Sequence, residues 1–355
     1  MRGRRSAALV VAAIAVLTSS SFAAPQRMAG AFTDALTLYD LGEHDTVIDG
    51  FARAINRDPA NVVKFLDTDA EAWIAADGKD AIPRRRLVAT TFALELGKAG
   101  VNTQWSWTRD MLEWACTQMR KAGPPTEEEL DWDLASLALI EGSFEPPNPR
   151  RPESSWLPTH INHIRERFPK EPRLLLARAL IDEFEYWILR WGRGPNGPLL
   201  DDSAAAAAIP ALEKAAAVPA NAKEARLRIG YLQMRLGKLD SALEHLQFAA
   251  EGDDDPTRVH LAHLFIGWTH ERAGRFDEAT AAFRQSIAVI NGQSAALALG
   301  TRLYAADARD EADDIVMAAV SGDRVVADPW KVYGYGDYRR FPQLIARLRA
   351  RILPR

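Results

Sequence analysis

Small and large apolar residues recur at fixed offsets in the C-terminal part of the chain, with mostly polar positions between them. Each unit begins with a glycine, followed twelve residues later by an alanine, four further on by a larger apolar residue and three further on by a small one. Three consecutive units share this template: Gly230, Ala242, Leu246 and Ala249; Gly267, Ala279, Phe283 and Ser286; Gly300, Ala312, Val316 and Ala319. The offsets return near the N terminus at Ala35, Val47, Phe51 and Ala54. Four copies of one template predict a repeat architecture.

The template predicts a pair of antiparallel helices. A small residue at the first position lets two helix backbones approach closely, and Gly237 or Gly274 in the middle supports a turn. Asp240 and Asp277 follow these turns and are expected to cap the second helix. No segment alternates with a period of two for long enough to predict a strand, so the predicted class is all-α.

At these positions the chain resembles the tetratricopeptide repeat (TPR) family, whose helix-turn-helix unit has about 34 residues. The spacings here are 37 residues from Gly230 to Gly267 and 33 from Gly267 to Gly300. The resemblance covers 223–320 and 28–61 most clearly. It implies a right-handed superhelix, or solenoid, of antiparallel helix pairs.

The rest of the chain carries weaker signals. Helical apolar spacing without the template occupies 85–99, 107–121, 127–141 and 156–168, and a degenerate unit is marked by Ala177, Ala208, Leu212 and Ala215 with an insertion at 191–198. The predicted organisation is a signal peptide at 1–23, a TPR-like unit at 24–61, irregular helix pairs at 62–168 with a Pro-rich hinge at 146–152, an expanded unit at 169–221, three units at 222–326 and an aromatic cap with a helix at 327–355.

The N terminus has the layout of a secretory signal. Arg2, Arg4 and Arg5 precede the apolar run 7–17, which is followed by the polar residues 18–21 and then by the small-residue pattern at 21–23. The run is too short to span a bilayer, so we expect cleavage after Ala23 and export across the inner membrane to a bacterial periplasm, although an uncleaved anchor stays open. Cleavage changes the net charge from -4 to -7, with 41 basic and 48 acidic side chains left, which argues against nucleic acid as a partner.

The sequence offers little catalytic chemistry. Cys116 is the sole cysteine, so an intramolecular disulfide is excluded and a small buried side chain is expected. The pairs His160/His163 and His260/His263 have a spacing that suits metal ligands, but the template places His263 and His270 at packing positions. We therefore expect no bound metal, no cofactor and no enzymatic activity. An enzyme whose active site is assembled from dispersed residues is the least favoured alternative. The acidic runs 127–129 and 253–255 are interpreted as a helix start and a turn.

The resemblance implies a concave groove lined by the first helix of each unit. These predicted groove residues are Leu227, Tyr231, Met234, Arg235, Leu264, Trp268, Glu271, Arg272, Leu297, Thr301 and Tyr304. They either line an open groove or pack against each other and the C-terminal segment. The aromatic run 330–341 is interpreted as a cap over the last unit, with base or sugar stacking as the alternative.

The leading hypothesis is thus an exported, non-catalytic helical-repeat scaffold that binds a protein or peptide. The alternative is an accessory protein that binds a glycan or envelope polymer, with Trp and Tyr side chains stacked on sugars.

Overall fold

A computed structural model describes residues 25–57, 66–76, 78–100, 105–121, 123–143, 156–191, 202–321, 328–333 and 340–353. Within these ranges the regular elements are helices, which confirms the all-α class. They are α1 (Pro25–Asp40), α2 (His44–Arg57), α3 (Glu71–Ala75), α4 (Ile82–Gly100), α5 (Trp105–Arg120), α6 (Glu127–Ser143), α7 (Trp156–Arg167), α8 (Arg173–Trp191), α9 (Asp202–Ala216), α10 (Pro219–Arg235), α11 (Leu239–Ala250), α12 (Pro256–Arg272), α13 (Phe276–Val289), α14 (Gln293–Ala305), α15 (Arg309–Val320), α16 (Pro329–Tyr333) and α17 (Phe341–Ile352). The predicted signal peptide and the Pro-rich segment 146–152 lie outside the described residues.

The chain divides into two compact units. Unit 1 contains Met1–Ser143 and Asp337–Arg355, and unit 2 contains Phe144–Gly336. The segments 85–99, 107–121, 127–141 and 156–168 are helical, as predicted, in α4 to α7. None of the described helices combines the length and the apolar character needed to cross a membrane.

Unit 1 is built around an aromatic core and closed by the C-terminal helix. Phe32, Phe51 and Phe92 meet edge to face, with ring centroids 5.2 to 5.9 Å apart. Helix α17 packs against α4 and α6 through buried apolar residues that include Leu348. Its arginines pair with acidic residues of unit 1, for example Arg347 with Asp131 at 2.9 Å.

In unit 2, successive helices pack as pairs: α8 with α9, α10 with α11, α12 with α13 and α14 with α15. The template glycines lie where the two helices of a pair touch, so the predicted register is confirmed. A Cβ atom at Gly267 would lie only 2.2 Å from Cε1 of the buried Phe283 ring. Equivalent contacts join Gly230 to Leu246 and Gly300 to Val316.

The turns within the pairs use left-handed backbone, as the central glycines predicted. Gly237 and Gly274 have φ angles of 76° and 73°, and Asp307 takes the same position in the last pair with φ 63°. The expectation that Asp240 and Asp277 cap the second helices is wrong. Both lie inside the first turn, where a carboxylate favours the helix dipole without capping a backbone N–H.

Candidate partner-binding surface

The predicted groove residues lie on α10, α12 and α14, and their exposure differs from pair to pair. Leu227, Tyr231, Met234 and Leu264 are buried in the core of unit 2. Reading these four as open groove lining is therefore wrong, because other parts of the same chain cover them. Arg235, Trp268 and Glu271 are half-buried, while the exposed members are Arg272, Leu297, Thr301 and Tyr304.

The short helix α16 covers much of the surface that α10 and α12 present. The Trp330 ring lies 5.3 Å from both Tyr231 and Trp268, measured between ring centroids. Tyr333 lies 5.4 Å from Tyr231 and 5.3 Å from Phe265. The contacts with Trp268 and Phe265 are edge to face, a geometry that aromatic side chains prefer, and the two contacts with Tyr231 are tilted. The alternative, in which the predicted groove residues pack against the C-terminal segment, is thus observed for α10 and α12.

Where the structure describes the aromatic run, at 330–333 and 340–341, the run does not cover the exposed side of the last pair, and residues 334–339 of the predicted cap lie outside the described residues. Trp330 and Tyr333 pack on α10 and α12, and Leu297 and Tyr304 of α14 remain about half exposed. Trp330 and Tyr333 pack on α10 and α12 because these helices carry the aromatic residues Tyr231 and Trp268. At the equivalent template position, α14 has Thr301.

A buried ionic cluster fixes α16 in this position. Arg228 of α10 donates to Glu183 at 2.7 Å, to Glu224 at 2.9 Å and to the carbonyl oxygen of Tyr333 at 3.2 Å. The Tyr333 hydroxyl donates to Glu183 at 3.0 Å, and the guanidinium lies 4.6 Å from the Tyr333 ring centroid. Burial alone would lower the pKa of Arg228, but the two carboxylates outweigh it and raise that pKa well above its usual value.

A second ion pair extends this cluster toward the start of α12. Arg258 contacts Glu224 at 3.4 Å and also pairs with Asp253. Asp255 caps α12 by accepting from the backbone N–H of Thr257 at 2.9 Å. The acidic run 253–255 therefore forms a turn, as predicted, and two of its carboxylates, those of Asp253 and Asp255, contact Arg258.

The half-buried edge of the groove carries charge. Glu271 of α12 pairs with Arg302 of α14 at 3.4 Å, and partial burial raises the pKa of Glu271 while Arg302 opposes the shift. Arg272 is exposed beside it. Cationic and apolar side chains are thus adjacent on the accessible part of the predicted groove.

Two of the four histidines that suggested metal ligands, His160 and His260, are buried packing residues. His260 is fully buried, and its Nδ1 lies 3.0 Å from both the hydroxyl and the carbonyl oxygen of Ser286. His160 is buried and His163 exposed, so this pair does not share an environment. Within the described ranges, no three His, Cys, Asp or Glu side chains converge as metal ligands. Cys116 is buried, as predicted, and burial raises the pKa of its thiol.

Sequence reasoning missed Phe265, Arg228 and Glu183 as parts of this surface. Phe265 joins the aromatic contacts of α16, and the ion pair between Arg228 and Glu183 fixes α16. A charged residue on a predicted helix is normally solvated, so no sequence pattern indicates the burial of this pair.

Comparisons with known proteins yield structural similarity at low sequence identity. No protein-family model matches the chain, and a comparison with curated proteins gives no match. The crystal structure of the APC/C hetero-tetramer Cut9-Hcn1 is similar over 98% of this chain and 73% of that chain, with 14% identity and a TM-score of 0.38. The TPR domain of P58(IPK) is similar over 88% of this chain and 96% of that chain, with 14% identity and a TM-score of 0.22. The helical-repeat class rests on the helix pairs of unit 2 rather than on these scores.

Proposed function

We propose that this protein is a non-catalytic helical-repeat scaffold that binds a protein or peptide through the groove surface of α10, α12 and α14. One observation carries the proposal: this surface already holds a short helical segment, α16, through two aromatic side chains and a backbone carbonyl. A surface that accepts a peptide segment of its own chain has the chemistry to accept one from a partner.

The accessible part of the surface defines the partner's chemistry. Trp268 offers a half-buried indole, and Arg235 and Arg272 lie on the same helical side in their respective pairs. An extended or helical peptide with an apolar anchor beside a carboxylate would match them, because a desolvated aromatic contact and a charge-assisted hydrogen bond reinforce each other. The titratable side chains of the buried cluster serve ion pairs that join helices, which supports a structural role for them.

A binding experiment with charge-reversal variants tests the proposal. Purified chain is used to capture partners from an envelope extract, and Arg272→Glu is compared with Arg309→Glu, an exposed arginine outside the predicted groove residues. We expect Arg272→Glu alone to reduce the recovery of one identified protein by roughly tenfold, as for loss of a contact worth about 1.4 kcal/mol. Equal recovery with both variants would contradict the groove assignment, and recovery of polysaccharide instead of protein would favour the glycan alternative.

Trp268→Ala is a less discriminating test of the same surface. The Trp268 ring stacks on Phe265 at 5.6 Å between centroids and meets Trp330 edge to face. Its removal would also loosen α16, so reduced binding could arise from altered packing.

We further propose that the protein acts outside the cytoplasm. The support is the arginine-led apolar segment at 1–17 and the small-residue pattern ending at Ala23. Mass spectrometry of the envelope fraction is expected to find a mature chain that starts near Ala24. A cytoplasmic chain that retains Met1 to Arg5 would refute export.

A further inference from the structure

Consecutive helix pairs of unit 2 are joined by ion pairs at defined template positions. Asp240 at the start of α11 contacts Arg275 at 3.6 Å, just before α13. Arg284 of α13 contacts Glu311 of α15 at 2.6 Å. Glu271 supplies a third such contact, to Arg302 of the following pair. These positions therefore mark the side of each pair that faces its successor.

The last pair, α14 and α15, carries different residues at the same positions. Counting along the template, Tyr304 takes the place of Glu271, Met317 that of Arg284 and Asp310 that of Asp240. We call these three residues, together with Leu297 and Val320, the end face. Tyr304, Met317 and Asp310 occupy the positions that contact a following helix pair in the earlier units.

Exposure shows that the end face is uncovered. Leu297 is 54% exposed, whereas its equivalent Leu264 is fully buried. Tyr304, Met317 and Val320 are 46 to 56% exposed. Large apolar side chains grouped on a surface that elsewhere forms an interface mark an interaction site more strongly than scattered ones do.

The charges around the end face select among possible occupants. Asp310, Asp313 and Asp314 are all exposed on α15, and the Tyr304 hydroxyl donates to Asp313 at 2.8 Å. Two copies that met through this face would place these carboxylates against each other, which costs binding energy. A basic partner gains from them, just as Arg275 contacts Asp240 between the earlier pairs.

We propose that the end face binds an amphipathic helix of a partner protein, with an apolar stripe on Leu297, Tyr304 and Met317 and a basic residue opposite Asp310. This proposal rests on the scaffold function: Leu297 and Tyr304 belong to the predicted groove as well, and the end face extends that surface onto α15 and specifies its partner class. It reuses the geometry by which the chain stacks its own helix pairs, so the partner helix takes the place that a further repeat would occupy.

Three synthetic peptides of about 18 residues test the proposal against the full chain. The first has leucines on one helical face flanked by arginines, the second replaces the arginines with glutamates, and the third shuffles the first so that its leucines do not align. Fluorescence anisotropy should show that the first peptide binds at least roughly tenfold more tightly than either of the others. The shuffled peptide controls for attraction to an acidic protein.

Two variants locate the binding. Met317→Lys places a positive charge on the end face and should weaken binding of the arginine peptide by roughly tenfold or more. Phe248→Lys changes a similarly exposed apolar residue of α11 and should leave binding unchanged. Both side chains are exposed, so circular dichroism and melting should match the unmodified chain.

Several results would overturn the proposal. Equal affinity for the arginine peptide and the shuffled peptide would mean that charge alone attracts both. Unchanged affinity of the Met317→Lys protein for the arginine peptide would place the binding site elsewhere. A self-associated chain that Met317→Lys converts to monomers in sedimentation equilibrium would assign the end face to a second copy. Each outcome is separable from the groove hypothesis, which is tested by Arg272→Glu and not by Met317→Lys.

Discussion

Gly267→Ala tests the helix-pair geometry most directly. The added methyl carbon would lie 2.2 and 2.4 Å from two carbons of the Phe283 ring, where ordinary contacts exceed 3.4 Å. Phe283 is fully buried, so the ring has no open space into which it can turn. Either α12 and α13 must separate or the ring must leave its preferred rotamer.

The expected cost follows from two opposing terms. Overpacking of a dense core destabilises by about 1 to 3 kcal/mol. Alanine regains about 0.5 to 1 kcal/mol over glycine in a helix interior. With the middle of each range, the net loss of unfolding free energy should be about 1 kcal/mol.

Urea unfolding followed by far-UV circular dichroism measures this loss. Glu271→Ala, one turn further along α12, is the matched control. It removes only a partly exposed ion pair with Arg302 and should cost less than about 1 kcal/mol. The Phe283→Ala background completes a double-mutant cycle. There Gly267→Ala should stabilise by about 0.5 to 1 kcal/mol, because the opposing ring is gone and only the helix preference of alanine over glycine remains.

Two results would refute the reasoning. One is a Gly267→Ala protein as stable as the unmodified chain, which would mean that α12 and α13 do not touch at this residue. The other is an equal loss with Phe283 present or absent, which would trace the effect to the backbone instead of the contact.

Two further predictions concern buried charge and pH. Arg228→Met should lower the unfolding free energy by about 3 to 5 kcal/mol, because it removes the cation buried between Glu183 and Glu224. Adding Glu183→Gln should recover part of this loss. A loss below about 1 kcal/mol would contradict the buried cluster. Burial lowers the pKa of His260 below its ordinary value of 6.5. As the pH falls through 6.5, the unfolded chain binds a proton at this histidine before the folded chain does. The free energy of unfolding should therefore decline as the pH falls. His260→Asn should make this decline shallower in urea titrations at pH values from about 7 to 5, and an unchanged slope would exclude His260 as a contributor.

The sequence alone was sufficient for the helix pairs and their register. Gly267 and Phe283 lie in one template unit, and the turn at Gly274 lies between them. Helix periodicity, a turn glycine and a close helix contact are all set by residues within one unit, so their signal survives in the linear pattern. For the same reason the helices α4 to α7 could be predicted without a template.

The groove could be predicted only in part. The sequence identified the side of α10, α12 and α14 that carries Tyr231, Trp268 and Thr301, but it left open whether that side was free. The answer depends on Tyr333, which contacts Glu183 from 150 positions away in the chain. A single contact of this kind leaves no periodic trace along the sequence.

Tertiary structure also decided which charged and apolar residues are accessible. Arg228 and Glu183 are ordinary helix-surface residues in the sequence, and they are buried because each supplies the other's counter-charge. Leu264 and Leu297 occupy the same template position, yet one is buried and the other is half exposed. Local sequence determines which way a side chain points from its helix. Whether that side chain is buried depends on which distant residues of the chain contact the same side of the helix.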